Sequence, residues 1–518
     1  MTIDRQRLRE QQTELADFCA RLQETYHPIL ASNRGPVELW INKNGDLDGR
    51  RGSGGVVTAL SALTQYLELT WVVCAMSDGE RRAVAEFGPR IRWKHGDKPM
   101  NLRLVTTRPS VYRKYYNVFA NPFLWFLQHY LLNLMSDDVF PAELRNAWSR
   151  GYLPVNQLIA EAVVRAAEDD PRKPLILLQD YHLYLAAGLI RERRPDAALL
   201  HFVHIPWPAP RYWVLVPEEM RQAIWRSLVA NDIVGFQTEH DAYNFLRTCE
   251  SLLPEAQVDY NARTVMWSGR RTLVRVYPIS VDVAALLRLA RSRPVRAYAD
   301  TLRKETSEFT IVRVDRAEPS KNVLRGFRAY DLLLARHPEL LERVRFLAFL
   351  VPSRTNLPEY RQYINEVREL IRNINQKHGT SSWLPIELHY ENNYPQAVAA
   401  MRLYDVLLVN AMMDGMNLVA KEGPIVNQRD GVLILTEGIG AHAQLKDYAL
   451  TVIAADVEGT AQALREALIM PLEERRHRAE GLRRTIARSD LTDWFSQQLH
   501  DLTILDPRLH SPSSVESY

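Results

Sequence analysis

Three cysteines in 518 residues, Cys19, Cys74 and Cys249, stand far apart, with no CxxC pair and no Cys/His ligand spacing. This scarcity excludes a disulfide framework and a zinc site, and it points to a reducing compartment, read as the cytoplasm. No run approaches the roughly 18 apolar residues that a membrane helix needs. The opening MTIDRQRLREQQTELADF is charged throughout and lacks the apolar segment of an export signal. Neither membrane spanning nor export is expected. An excess of one charge is missing too: 65 Lys and Arg against 62 Asp and Glu leave a net +3, so no nucleic-acid partner is indicated. What remains is a soluble globular composition, 46% hydrophobic and 25% charged. A chain this long calls for two domains of roughly 200 to 280 residues, with a ligand cleft between them.

Short apolar runs that end in polar or glycine-rich turns, each followed by a helical pattern, recur along the chain and predict α/β layers with parallel sheets. The runs are 27–32, 175–178, 199–203, 232–236, 309–314, 344–350, 405–409 and 431–435. The segment VYPISVD closes one series at Asp282, where a polar helical stretch begins. Residues 1–282 are therefore read as an N-terminal domain and 283–485 as a C-terminal one. The last helical pattern, over about 472–502, is long enough to cross back onto the first domain, and 486–506 is read as the returning helix. The Pro/Ser-rich tail 507–518 is expected to be disordered. No repeat of 20 to 50 residues is visible.

Several strand ends carry residues suited to anions and sugars. VDRAEPSKN places Arg316 and Lys321 five residues apart in a turn, where two cations can meet one diphosphate; a solvated basic loop is the plain alternative. In NAMMDGMNLVAKEGPIV, Asp414 and Gly415 form a turn, and 416–422 is read as a helix start whose amides can receive phosphate oxygens. Glu422, read as about two turns in, can accept both hydroxyls of a ribose. The glycine-rich RRGSGGVVTAL, with Gly55, is a loop able to close on phosphate or sugar, although flexible turns use the same residues. Arg34, just after the first apolar run, can meet an acceptor phosphate or lie on the surface. Asp180 in LLQDYHLYL can hold a sugar hydroxyl. His204 in HFVHIPWPAP can bond a sugar hydroxyl, support charge at the anomeric carbon, or be satisfied in the core. Tyr116 and Trp125, in the aromatic KYYNVFANPFLWFLQHY, read first as core and second as a wall for a sugar.

Taken in order, DGMNLVAKE, YYNVFANPFLW, DYH, HIPWP, GFQT and VYPI resemble the trehalose-6-phosphate synthase family of retaining glycosyltransferases of the GT-B fold, over residues 29–502. The resemblance implies two Rossmann-like domains facing a central cleft, no metal and no cofactor. It implies a nucleotide-glucose donor and a sugar-phosphate acceptor as partners, and it leaves a homo-oligomer open. It makes Arg316 and Lys321 the diphosphate clamp and Glu422 the ribose partner. Asp414 and the amides of Gly415, Met416, Asn417 and Leu418 become contacts to donor sugar and phosphate, and Gly55 a residue closing over the donor. Asp180 and His204 would contact the sugars. Arg34, Tyr116, Trp125 and Arg354 of VPSRTN would take the acceptor and its phosphate. Retention in the family is thought to need no protein nucleophile, the leaving phosphate accepting the acceptor's proton on the same face. That agrees with a cationic clamp and no hydrolase-like carboxylate pair.

The chain departs from the usual family pattern in four places. The clamp R-L-D-Y-S/T-K-G reads Arg316-Ala-Glu-Pro-Ser-Lys-Asn322, HDYH reads QDYH with Gln179, Met413 replaces the arginine before DGMN, and only Trp71 remains of a tryptophan-rich acceptor segment. The proline-asparagine clamp resembles the pseudoglycosidic branch. The leading expectation is transfer of glucose from UDP- or GDP-glucose to glucose 6-phosphate. The alternatives are another phosphorylated acceptor, such as glycerol 3-phosphate or a cyclitol phosphate, a non-catalytic sugar-phosphate sensor, and a polymerase acting on a polysaccharide.

Overall fold

The computed structural model describes residues 5–52, 55–95, 98–135, 142–304 and 307–505; Ser53 and Gly54 of the glycine-rich loop and the Pro/Ser-rich tail lie outside the described residues. The chain divides into two compact units, one of Arg9–Pro278 with the described residues from Thr492, the other of Ile279–Leu491 with residues 5–8. All eight apolar runs picked out above are strands, four in the sheet of each unit. Among the described residues, no helix is long and apolar enough to cross a membrane.

The N-terminal unit has a sheet of ten strands. Its parallel core runs in the order Arg270–Val276, Ile233–Phe236, Ala198–Phe202, Lys173–Gln179, Tyr26–Ser32, Thr70–Cys74 and Lys98–Val105. Antiparallel strands occupy both edges. Central strands such as Ala198–Phe202 are buried along their whole length, as sheets covered on both faces require. After Tyr26–Ser32 the chain builds outward through Thr70–Cys74, then returns to lay Lys173–Gln179 on the opposite side. Strand order therefore reverses between these two strands, and the loops at their carboxyl ends diverge to leave a crevice.

The C-terminal unit repeats the plan with six parallel strands in the order Ile386–His389, Val344–Val351, Phe309–Arg316, Val406–Val409, Val432–Thr436 and Leu450–Val452. Its reversal lies between Phe309–Arg316 and Val406–Val409. Those strands contribute Ile311, Val406 and Leu408 to a core with Val323 and Phe327 from the helix Val323–Arg336. That helix can approach closely because Gly326 carries no side chain: a Cβ there would stand 2.5 Å from a nitrogen of Arg313.

The stretch after Asp282 forms two helices, Val283–Ala290 and Arg293–Lys304, the first capped by the Asp282 carboxylate on the Ala285 N–H at 2.7 Å. The pattern 472–502 is likewise two helices, Leu472–Arg488 and Leu491–Leu505. In the second, Trp494 donates its indole N–H to the Tyr277 carbonyl at 3.0 Å, and Asp501 accepts from the Tyr277 hydroxyl at 2.6 Å.

Candidate active site

In the C-terminal unit the segment from Arg316 to Lys321 leaves the central strand at the reversal point. Alternation along VRVDR turns Arg313 and Asp315 to the same face. Both are buried, and the Arg313 guanidinium reaches the Asp315 carboxylate at 2.8 Å, the Lys321 carbonyl at 3.0 Å and Asn410 Oδ1 at 3.1 Å. Burial raises the Asp315 carboxyl above its ordinary range, against the pull of Arg313 and Lys321. An arginine inside the sheet thus fixes the backbone of Lys321. Asn322 closes the turn with left-handed backbone, φ 56° and ψ 36°, and its amide donates to the carbonyls of Asn410 at 3.0 Å and Ala454 at 2.7 Å.

Arg316 is 42% exposed and pairs at 2.9 Å with Glu318, whose side chain is fully buried. The same carboxylate meets Arg354 at 3.3 Å, and Ser353 donates to it at 3.3 Å. Arg354, with 8% of its side chain exposed, also lies over the Tyr360 ring. Lys321 pairs with Asp414. One turn therefore carries two cations, each held by a carboxylate.

The loop leading to Glu422 is stitched in place from both sides. Met412 donates its N–H to the Ser320 carbonyl at 2.9 Å, and Asp414 donates to the Gly438 carbonyl at 3.0 Å. Gly438 is required there, since a Cβ would collide with the Met412 carbonyl. The helix begins at Val419 rather than at Met416: Asn417 adopts φ 65°, which interrupts the helical course, so residues 415–418 are an open turn. Glu422 consequently stands in the first turn of the helix, not two turns in. The amides of Gly415 through Val419, which follow Lys321's partner Asp414 in the chain, donate to no acceptor among the described residues. Glu422 accepts from the Tyr394 hydroxyl at 2.8 Å, and its surroundings raise its carboxyl above the ordinary range by desolvation. Lys421 is buried and donates to the Ile279 carbonyl at 2.7 Å, a structural use of the lysine in this motif.

In the N-terminal unit the residues singled out also sit at strand ends around the reversal. Arg34 is exposed in the turn after Tyr26–Ser32, and Asp180 directly follows Lys173–Gln179. His204 lies two residues beyond Ala198–Phe202. Asp180 accepts the His204 N–H at 3.2 Å, and Gln179 Oε1 is 2.8 Å from His204 Nε2. Rings connect this cluster to the turn of Arg34. His182 lies 3.9 Å from Asp180 and stacks on Tyr116 with centroids 5.8 Å apart; Tyr116 stacks on Tyr112 at 5.6 Å; Tyr112 donates to Asn33 at 3.3 Å. Trp125 is only 6% exposed, stacks on His129 at 4.0 Å and packs against Tyr181, the neighbour of Asp180, at 5.8 Å, so it is core. Trp71 is fully buried in its strand, its indole bonded to Ser32 at 2.8 Å. Gly55 opens the helix Gly55–Leu63.

Sequence reasoning passed over Arg313, Tyr112, His182 and Tyr394, and met Glu318 only as a departure from the family pattern. A usable signal existed for the first: two charges at alternate positions of an otherwise apolar central strand must be buried together.

Asp180 is held at φ 73° and ψ 172°, a conformation natural only to glycine. Asp180→Gly should therefore be more stable than Asp180→Ala by about 1–3 kcal/mol, because alanine keeps the strain and glycine relieves it. Parallel thermal melts of the two variants check this; equal midpoints would refute the strain. Burial lowers His201 and His204 to about 3 from an ordinary 6.5, so both rings are neutral in the folded chain. The unfolded chain takes up protons first as acid is added. Stability from these rings is hence complete above about pH 6.5 and lost as pH falls toward 3. Denaturation midpoints should drop between pH 7 and pH 5, and His201→Gln should show a shallower drop.

Two doubly wound α/β units with chemically equipped loops at their strand reversals define a GT-B glycosyltransferase. The model of glycosyltransferase family 20 matches residues 26–504. Validamine 7-phosphate valienyltransferase of Streptomyces hygroscopicus subsp. jinggangensis is 30% identical over 453 residues, 87% of this chain and 88% of that protein. Trehalose-6-phosphate synthase of Mycobacterium avium is 31% identical over 93% of this chain and 96% of its own. Among solved structures, the trehalose-6-phosphate protein from E. coli bound with UDP-2-fluoro glucose is similar at TM-score 0.80 and 26% identity, covering 92% of this chain and 98% of its own. The alpha,alpha-trehalose-phosphate synthase from Burkholderia xenovorans in complex with glucose-6-phosphate is similar at TM-score 0.78 and 27% identity, covering 92% and 100%. The chain belongs to glycosyltransferase family 20, the trehalose-6-phosphate synthase family, and is a hexosyltransferase.

Proposed function

We propose that this chain transfers glucose, with retention, from UDP- or GDP-glucose to glucose 6-phosphate and so forms α,α-trehalose 6-phosphate. The observation that carries this reading is the strand-end turn of Arg316 and Lys321, in which Lys321 pairs with Asp414, directly ahead of the amides of Gly415–Val419 that meet no acceptor among the described residues. Such a turn stabilises a departing diphosphate by charge and oriented dipoles. In this reading the bond from the anomeric carbon to the diphosphate breaks as a bond to the acceptor hydroxyl forms, and the hydroxyl's proton passes to the leaving phosphate on the same face. Glu422 takes the ribose, and Asp414 with the amides of Gly415, Met416, Asn417 and Leu418 takes donor sugar and phosphate. Gly55 closes the donor side, while Asp180 and a neutral His204 bond sugar hydroxyls. Arg34, Arg354 and Tyr116 receive the acceptor and its phosphate.

A second acceptor is favoured by one specific observation: the likeness to a valienyltransferase, together with Pro319 and Asn322 in the clamp. The two readings share the donor chemistry. Purified protein incubated with UDP- or GDP-glucose should release nucleotide and form a non-reducing disaccharide phosphate with glucose 6-phosphate. Product only with glycerol 3-phosphate or a cyclitol phosphate would move the assignment to that acceptor. No turnover with any acceptor, alongside retained binding of sugar phosphate, would favour a sensor.

A further inference from the structure

Lys321 and Asp414, the cation and the carboxylate that the preceding reading sends to diphosphate and donor sugar, are already paired with each other. The side chains are 9% and 14% exposed, so the pair is largely withdrawn from water. Their backbones cannot move apart easily. Arg313 holds the Lys321 carbonyl at 3.0 Å; Asp414 donates to Gly438 at 3.0 Å, and its own carbonyl accepts from Gly440 at 3.1 Å. The lysine stem, with its four rotatable bonds, is the part that can turn without moving the backbone. Directly after Asp414 in the chain, the amides of Gly415–Val419 offer an oxyanion several donors that no group among the described residues occupies. A diphosphate seated on those amides carries more negative charge than one carboxylate and so competes with it for the ammonium.

Once Lys321 turns to phosphate, the side-chain donor left to the Asp414 carboxylate among the described residues is the Asn417 amide, at 3.0 Å. A carboxylate largely withdrawn from water and stripped of its cation is costly unless another donor replaces it. Beyond its terminal phosphate a nucleoside diphosphate brings no such donor, its ribose hydroxyls going to Glu422 in the preceding reading. A nucleoside diphosphate sugar brings hydroxyls.

We propose that Lys321 and Asp414 exchange partners when the donor binds, and that the exchange selects sugar-bearing nucleoside diphosphates over bare ones. The diphosphate takes the ammonium, and a hydroxyl of the sugar donates to the released carboxylate. Each half of the exchange is favourable only with the other, so the spent nucleotide, lacking the sugar, leaves the carboxylate unpaired and is released. This inference rests on the diphosphate reading of Lys321.

Calorimetric titration of the full chain with UDP and with UDP-glucose, and with the GDP pair if that is the one bound, tests it. In Asp414→Asn, which keeps a hydrogen-bonding side chain but no charge, Lys321 is no longer held. Bare UDP should bind more tightly than to the unmodified protein, and the preference for UDP-glucose over UDP should fall by about tenfold, the scale of one charge-assisted hydrogen bond. With Lys321→Gln in the background, adding Asp414→Asn should no longer tighten UDP. A preference unchanged within about twofold in Asp414→Asn, while Lys321→Gln weakens both ligands, would overturn the exchange and leave the clamp standing. Unchanged affinities in Lys321→Gln would instead overturn the clamp, and the exchange with it. So would failure of the unmodified protein to bind either nucleotide pair.

Discussion

Arg316→Ala is expected to lower kcat/KM for nucleotide release by about 30- to 900-fold, equivalent to about 2–4 kcal/mol of transition-state stabilisation. The guanidinium is 42% exposed and its backbone lies at a strand end, so its removal leaves no cavity, and the buried Glu318 keeps Arg354 as its cation. The loss should therefore fall on turnover, with melting temperature nearly unchanged. Lys321→Ala should lose activity on the same scale but also stability, because it strands the Asp414 carboxylate. Steady-state release of nucleotide, measured with both variants, separates the cases. Unchanged rates in both would remove the cationic clamp from the mechanism.

Glu318→Ala should destabilise the protein by about 3–5 kcal/mol, the cost of leaving a buried ion without its partner. Glu318 is fully buried and is shared between two arginines; only Arg316 can turn to water when the carboxylate goes, while Arg354 stays enclosed. Truncating both partners, Glu318→Ala with Arg354→Ala, should recover part of the loss, since the stranded charge is then gone. Denaturant midpoints of the single and double variants measure this, and additive losses would show that the pair is not coupled. Glu318→Asp, which restores the residue usual at this position in the family, should retain the ion network over a longer gap and cost less than the alanine.

The departures from the family pattern have a local physical basis. The final clamp position needs left-handed backbone, and Asn322 supplies it at φ 56° where the family usually has glycine. Asparagine is among the few side chains that accept that region, and its amide then ties the clamp to the strand end at Asn410. Pro319 fits because it opens a short helical turn, where its fixed φ is favourable and no N–H is missed. Gln179, in place of a histidine, bonds the ring of His204. Four of the residues with left-handed backbone, Asp180, Asn322, Arg354 and Asn417, belong to the two strand-reversal clusters, where tight turns put polar groups at sheet ends.

Apolar runs with helical patterns between them determined the parallel sheets and their carboxyl-end loops, because strands buried on both faces must read as continuous apolar segments and polar residues can stand only where they end. That is why 309–314 and 405–409 led directly to Arg316, Lys321 and Asp414. The motif order determined the family for the same reason: each motif is a loop at a strand end. The sequence could not show which charges face each other, since pairings such as Arg354 with Glu318 and Lys321 with Asp414 join residues 36 and 93 positions apart. Nor could it show that the helix after Asp414 waits until Val419, because one left-handed residue, Asn417, decides that locally. Only tertiary packing settled whether an aromatic ring is wall or core: Trp71 and Trp125 are enclosed, whereas Tyr116 stands half-buried in a stack between Tyr112 and His182. Pattern along a chain records burial by period, but the partner that makes a buried charge or ring tolerable comes from elsewhere in the fold.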